Sequence, residues 1–328
     1  MSDNSYDSSS SDIMFSPSLI DNNYIQTLKN DKTYIFGDIE GDENLFASTV
    51  GTISTAQNER FIFLGDLYDY TKPNETISMI GTILNALGVE ILQPFNEQSR
   101  EIDIIRAYRK LWKIKQMKAY SKFNIQYLHS KLKREQLEPN FKYLFILGNK
   151  EVIFVQEIIT CEHMTKKAPN TFQVPADYKF KHVEEGREPI KHTNYLFTTE
   201  QLNIMFSYLS LCINYALIDE TIYIHCYINY KHVKDDIPPV KRIISGHSKG
   251  YGKFADTDFP GVNIYLCDLT GLINNNLNNY IINDHDTIIY NFNDNIKPCL
   301  NKISFDIDDD VVVSIDENPK RSKPYIPC

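Results

Sequence analysis

Three short apolar runs, each closed by a glycine and then a carboxylate or amide side chain, constrain this chain more than any other feature. Thr33–Phe36 leads into Gly37-Asp38, Arg60–Leu64 into Gly65-Asp66, and Tyr143–Leu147 into Gly148-Asn149. Runs this short and this continuously apolar suit strands covered on both faces. Helix-compatible sequence follows each one, which is the βαβ rhythm of a layered α/β sheet. Ligands in such sheets gather beyond the carboxyl ends of the strands, and that is where Asp38, Asp66 and Asn149 fall.

The second half of the chain has a different pattern. Thr198 and Gln201 stand at capping-box spacing and open a helix predicted to run to Ser210. Ile213–Ile218 and Thr221–Ile224, joined by Asp219-Glu220, predict a hairpin that delivers His225. Lys241–Ser245 is a further strand ending at Gly246-His247, and Val262–Cys267, Thr287–Phe292 and Val311–Ile315 extend the sheet. Two stretches interrupt this scheme. Glu90–Asn140 is expected to be long, helical and basic, and Thr165–Asn194 to be an irregular loop. The expected organisation is a tail over 1–18, one domain over 19–316 with insertions at 90–140 and 165–194, and a second tail over 317–328.

A chain of 328 residues, 42% hydrophobic and 23% charged, can bury a large core in one such domain. It has no apolar run long enough to span a bilayer, so no membrane partner is expected. The Ser- and Asp-rich start lacks the basic-then-apolar order of a secretory signal. Six scattered cysteines form no CxxC pair, which points to a reducing, cytoplasmic setting. A net charge of −9 argues against nucleic acid as a partner, because phosphate backbones would be repelled. Arg106 to Arg134 is nevertheless locally basic. That stretch is either a solvated helical face or a docking surface for an anionic substrate.

The strand-end residues form an ordered set: Gly37-Asp38-Ile39-Glu40-Gly41, Gly65-Asp66-Leu67-Tyr68-Asp69-Tyr70, Gly148-Asn149-Lys150-Glu151, His225-Cys226-Tyr227 and Gly246-His247. A lone Gly-Asp pair is usually a turn, and a lone strand-end histidine is usually structural. As an ordered set over Tyr34 to Asp268, the five resemble the calcineurin-like metallophosphoesterases, nearest the phosphoprotein phosphatase and diadenosine tetraphosphatase branch. The resemblance implies a layered α/β/β/α sandwich and hydrolysis of a phosphate ester by a metal-bridging hydroxide at a two-metal site. Asp38 and Asp66 would hold the first metal, with Asp66 bridging to a second held by Asn149, His225 and His247. Asp69 matches the acid that orients the family's catalytic histidine. The implied partner is a phosphorylated substrate: a phosphoprotein, a nucleotide or a small phosphoester.

Several positions depart from the family pattern. Glu40 stands where the family has a metal-binding histidine, and as an oxygen ligand it favours Mn²⁺ or Mg²⁺, with iron and zinc left open. Lys150 stands where the family has the proton-donating histidine. Two dications beside it are expected to push its pKa down, so that it acts as an acid or as a cationic clamp. Tyr70 replaces a phosphate-gripping arginine, and Lys249 lies where relatives have a further histidine. The leading expectation is a metal-dependent phosphatase-type hydrolase. The alternative is a degenerate metallophosphoesterase fold that binds or regulates without turnover.

Overall fold

The computed structural model of the protein describes residues 33–291, except 57–58, 121–141, 162, 175–194, 219, 236, 238, 248–249, 255, 269–279 and 285–286. In chain order its elements are β1 (Thr33–Phe36), α1 (Glu43–Thr55), β2 (Arg60–Phe63), α2 (Pro73–Ala86), α3 (Glu101–Tyr120), β3 (Tyr143–Ile146) and α4 (Asn149–Thr160). There follow β4 (Thr165–Ala168), β5 (Thr171–Val174), β6 (Tyr195–Thr198), α5 (Thr199–Leu211), β7 (Cys212–Ile213), β8 (Tyr215–Ile218) and β9 (Thr221–Ile224). A short 3₁₀ turn at Tyr227–Asn229 and α6 (Tyr230–Val233) come next, then β10 (Arg242–Ser245), β11 (Gly250–Phe254), β12 (Asn263–Asp268), β13 (Tyr280–Asp284) and β14 (Thr287–Asn291). Helices and parallel strands thus combine in a mixed α/β fold. No helix among the described residues is long and apolar enough to cross a membrane.

The first sheet has the order β14-β13-β1-β2-β3-β7, with β1, β2, β3 and β7 parallel. The second has the order β11-β12-β10-β9-β8, with β9, β10 and β12 parallel at its centre. Side chains alternate across a strand, so a strand covered on both faces must be apolar at successive positions. That is what the short runs encode. Ile35, Ile62, Leu64 and Ile146 face Ala216, Tyr223, Ile244 and Cys267 of the second sheet. Their neighbours Phe36, Phe61, Phe63 and Phe145 face the opposite way, into the helices. Phe63 lies in register with Phe36 and Phe145, its ring centroid 5.1 Å and 4.8 Å from theirs. A buried ring of this kind contributes about 3–5 kcal/mol relative to alanine.

Register also explains where the chemistry collects. Phe36, Phe63 and Phe145 are aligned, so the loops after β1, β2 and β3 leave the sheet side by side. Ile224, Ser245 and Leu266 are aligned in the second sheet, and the turns carrying His225 and His247 leave beside them. The two sheets stack, and both sets of loops meet at one edge of the stack.

Several sequence expectations need correction. The predicted strand Ile213–Ile218 is two strands that separate at Asn214, β7 joining the first sheet and β8 the second. Thr165–Asn194 is not wholly irregular. β4 and β5 form a hairpin that pairs with β6, with Phe172 and Val174 buried. β4 itself, Thr-Lys-Lys-Ala, is exposed at all but Lys166 and carries no apolar alternation to signal a strand. Within Glu90–Asn140 only α3 is helical among the described residues, and residues 90–100 are a non-helical segment. There the Leu92 and Phe95 amides donate to Ser207 Oγ at 2.9 Å and Asn203 Oδ1 at 3.0 Å. The helix predicted from Thr198 is borne out as α5, with its capping box closed by Gln201. β11 and β13 went unrecognised in the sequence. Val311–Ile315, Lys249 and both proposed tails lie outside the described residues.

Helix α3 buries Ile104, Ile105, Tyr108, Leu111 and Trp112, leaving Arg106, Lys110 and Lys113 on its exposed face. Arg109 donates twice to the Ile159 carbonyl, at 3.1 Å and 2.8 Å, near the C-terminal end of α4. That carbonyl is roughly 15 Å along the helix axis from Asn149, at 1.5 Å per residue. The described part of the basic stretch is therefore a solvated helical face that braces the far end of α4, rather than one aimed at the strand-end loops.

Glu157, on the same helix, is buried, its Oε2 has no hydrogen-bond partner, and burial pushes its carboxyl from 4.5 to about 7. A carboxyl raised on folding stabilises fully below its unfolded value, and that contribution is lost as pH rises through the folded value. The loss is on the order of 3 kcal/mol between pH 4 and 8. Glu157→Gln should remove this slope. Urea denaturation at pH 5 and pH 8 would show a smaller fall for the variant than for the parent, and equal falls would refute the assignment.

Candidate metal centre

Among the described residues, three non-glycine positions adopt left-handed backbone conformations: Glu40 at φ 47°, Asp66 at φ 48° and His247 at φ 61°. All three close the strand-end loops. Such conformations cost about 1–3 kcal/mol each and persist where the surroundings over-determine them. Here the loops hold one another. The Ile39 and Glu40 amides both donate to the Asp66 carbonyl, at 3.1 Å and 3.0 Å. The His247 amide donates to both Asp38 oxygens, at 3.1 Å and 3.2 Å. The Lys150 amide donates to Asp66 Oδ1 at 3.0 Å, which ties the start of α4 to the β2 loop.

Close approach explains the glycines of the motifs. A Cβ on Gly148 would stand 2.1 Å from Asp66 Oδ1, and one on Gly246 would stand 2.4 Å from Asp38 Oδ1. Only hydrogen at these positions lets the backbone come against the carboxylates. Glu151 organises the same region from beneath. It is fully buried and accepts from the amides of Asp66 at 2.9 Å, Tyr68 at 3.0 Å and Gly148 at 3.1 Å. Tyr208 donates a fourth bond at 3.2 Å. Burial, then the Asp66 charge, pushes its carboxyl up to about 8 against the pull of those amides.

The candidate ligands meet in two groups that share one residue. Asp66, His225 and His247 offer ligand atoms within 4.8 Å of one another, and so do Asp38, Glu40 and Asp66. Asn149 joins the first group through its amide, 3.0 Å from His225 Nε2. Every ligand candidate singled out from the sequence is therefore brought to this edge of the sheets. Asp69 lies beside them, but its oxygens accept from the Thr71 amide at 3.0 Å and hydroxyl at 2.5 Å. Its Oδ1 is 3.8 Å from Lys150 Nζ. Tyr70 presents its ring to Lys150 with 5.7 Å from Nζ to the centroid.

His225 decides whether these residues suit a cation. Its Nδ1 lies 2.8 Å from the Leu64 carbonyl, which can only accept, so Nδ1 carries the proton and Nε2 is a bare lone pair. Burial is the largest influence on the ring and lowers it to about 4, so the imidazole is neutral. Its Nε2 then points toward Asp66 Oδ1 at 3.6 Å and the Asn149 amide. With the amide nitrogen inward, Asn149 donates to His225 and Asp66. With the oxygen inward, lone pairs from three residues converge, an arrangement that a cation satisfies. The carboxylates agree. Burial first, then the charges of Asp268 and Asp66, pushes Asp38 well above its usual range, and burial pushes Asp66 to about 7 although Lys150 opposes it. Such crowding costs energy that a divalent ion would reverse. The donor set fits hard or borderline divalent ions.

From the sequence, two dications and burial are expected to depress Lys150 with Asp69 opposing them, and no contact with Glu40 is foreseen. The lysine Nζ sits 2.7 Å from Glu40 Oε1. Burial would push the ammonium down, but Glu40, Asp66 and Asp69 outweigh it and hold Lys150 above its ordinary value. Two further residues escaped the sequence reading. Glu151 lay within a motif without a role, and the buried Asp268 ends β12 with no preceding glycine to signal it. An apolar strand run ending in an acid was the available sign. Comparison with protein-family models, with curated proteins and with solved structures finds no match to this chain.

Proposed function

We propose that this protein hydrolyses phosphate esters with two divalent ions, in a layered α/β/β/α sandwich of the metallophosphoesterase kind. The observation that carries the reading is Asp66, the one carboxylate common to both ligand groups. Asp38 and Glu40 would hold one ion with it, and Asn149, His225 and His247 the other. Ions bound there would polarise a phosphoryl oxygen and make a water nucleophilic near neutral pH. The chain's own residues supply the rest. His225 keeps its proton on Nδ1 through Leu64, which fixes the tautomer that can ligate. Lys150, raised by Glu40 and Asp66, stays cationic and offers Nζ to a phosphoryl oxygen. Asp69 lies behind Lys150 and limits where that cation can move. The substrate class is a phosphorylated protein, a nucleotide or a small phosphoester.

One observation favours the alternative, a binding or regulatory module without turnover. Lys150 is already engaged by Glu40 at 2.7 Å, so two of the altered positions satisfy each other. Turnover separates the readings. The purified chain, supplied with Mn²⁺ or Mg²⁺, should hydrolyse at least one of an aryl phosphate, a phosphopeptide and a dinucleoside polyphosphate, and chelation should abolish the activity. Inertness toward all three with either ion would leave the binding module standing.

A further inference from the structure

Glu40 lies in the loop after β1 and Lys150 in the first turn of α4, yet Nζ and Oε1 are 2.7 Å apart, with the lysine side chain 16% and the glutamate 25% exposed. An ion pair on an open surface contributes little, but this pair is mostly withdrawn from water, where charges interact more strongly. Glu40 also belongs to the Asp38, Glu40 and Asp66 group. Lys150 therefore holds one of the ligands that an ion in that group would need. In the other group His225 turns a bare Nε2 lone pair toward Asp66 and Asn149, because its Nδ1 proton is held by the Leu64 carbonyl.

We infer that Lys150 acts as a tethered cation that competes with a divalent ion for Glu40, so that the two ions load in sequence and the second loads weakly. The inference rests on the two-ion reading above and adds its regulation. The first ion enters at Asp66, Asn149, His225 and His247. The second must separate Glu40 from Lys150 and place two positive charges beside a third. On separation, Nζ stays within reach of Asp69, whose Oδ1 is 3.8 Å away, and the ammonium becomes available to an anionic substrate. The site is then silent when divalent ions are scarce and fully assembled when they are abundant. Lys150 is a positioning residue in this step, set by its backbone amide bond to Asp66 at the start of α4.

The test is a Mn²⁺ titration of the full chain, followed by calorimetry and electron paramagnetic resonance without substrate. The parent should bind in two steps separated by about tenfold or more in Kd. The first step should give a mononuclear signal, and exchange-coupled lines should appear only with the second. Lys150→Met should tighten the second step about tenfold and alter the first much less, because only the second must displace Lys150 from Glu40. Glu40→Gln should lose the second step and keep the first. Loading of both ions in one step by the parent would overturn the inference, as would a second step indifferent to Lys150→Met or no Mn²⁺ binding at all. If Lys150→Met fails to fold, the parent's titration still decides. Stepwise loading without turnover of any phosphoester would sink the proposed hydrolysis and leave this inference intact. Turnover with single-step loading would do the reverse.

Discussion

Asp66→Asn should yield a folded protein that retains neither ion. Asp66 is the one residue that belongs to both ligand groups, so a single substitution removes a charged ligand from each. The His225 side would keep only neutral ligands, and the Glu40 side would keep a glutamate already paired with Lys150. Losing an outer partner of a metal ligand typically costs 10–100-fold in affinity, and loss of a shared inner ligand should exceed about 10²-fold at both sites. Unfolding would not account for the result. Asparagine keeps an oxygen that can accept from the Lys150 amide, and it relieves a carboxyl that burial has raised to about 7. Above pH 7 the ion-free variant should therefore be at least as stable as the ion-free parent. Elemental analysis after gel filtration, paired with a thermal melt, reads both quantities. Stoichiometric metal in the variant would refute a shared ligand.

The sheet and its ligands were legible because the same requirement wrote both. A strand buried on two faces must be apolar at every position, which marks β1, β2 and β3 as continuous runs. The backbone then has to come against a carboxylate, which marks Gly148 and Gly246. What could not be read followed from contacts between distant segments. Glu40 and Lys150 each looked like an isolated departure, and only the fold makes them partners. The left-handed conformations of Glu40, Asp66 and His247 carry little sequence signal: aspartate and histidine enter that region more readily than most side chains, but only in a small minority of their occurrences, and glutamate has no such preference. Asp268 was overlooked since no glycine precedes it. The β4–β5 hairpin was overlooked since one of its strands, Thr165–Ala168, is largely exposed and lysine-bearing. In the described part of the basic stretch, apolar residues of α3 decide where the helix lies, and they hold it along α4.

Lys150→Ala should slow hydrolysis about 10²-fold at saturating Mn²⁺, and by the same factor for alkyl and aryl phosphates. The two roles open to Lys150 diverge on that second point. A proton donor matters most when the leaving group is a poor one, so its loss would hurt alkyl esters far more than activated aryl esters. A cationic clamp stabilises the phosphoryl oxygens whatever leaves, so its loss would hurt both alike. The neighbours of Lys150 favour the clamp. Glu40, Asp66 and Asp69 hold the ammonium above its ordinary value, which makes it a poor acid near neutrality but a dependable charge. Saturating Mn²⁺ matters, because removing Lys150 also changes how readily the Glu40 side loads. Lys150→His probes the same position from the other direction. Imidazole titrates near neutrality, and Asp69 Oδ1, now 3.8 Å from Nζ, lies where it could orient the ring. That variant should hydrolyse aryl phosphates at least as fast as the parent and should gain a bell-shaped pH profile that the parent lacks. Values of kcat/KM for a matched alkyl and aryl pair, measured across pH for all three proteins, carry the decision. A Lys150→Ala defect confined to alkyl esters would assign the lysine as the acid and overturn the clamp.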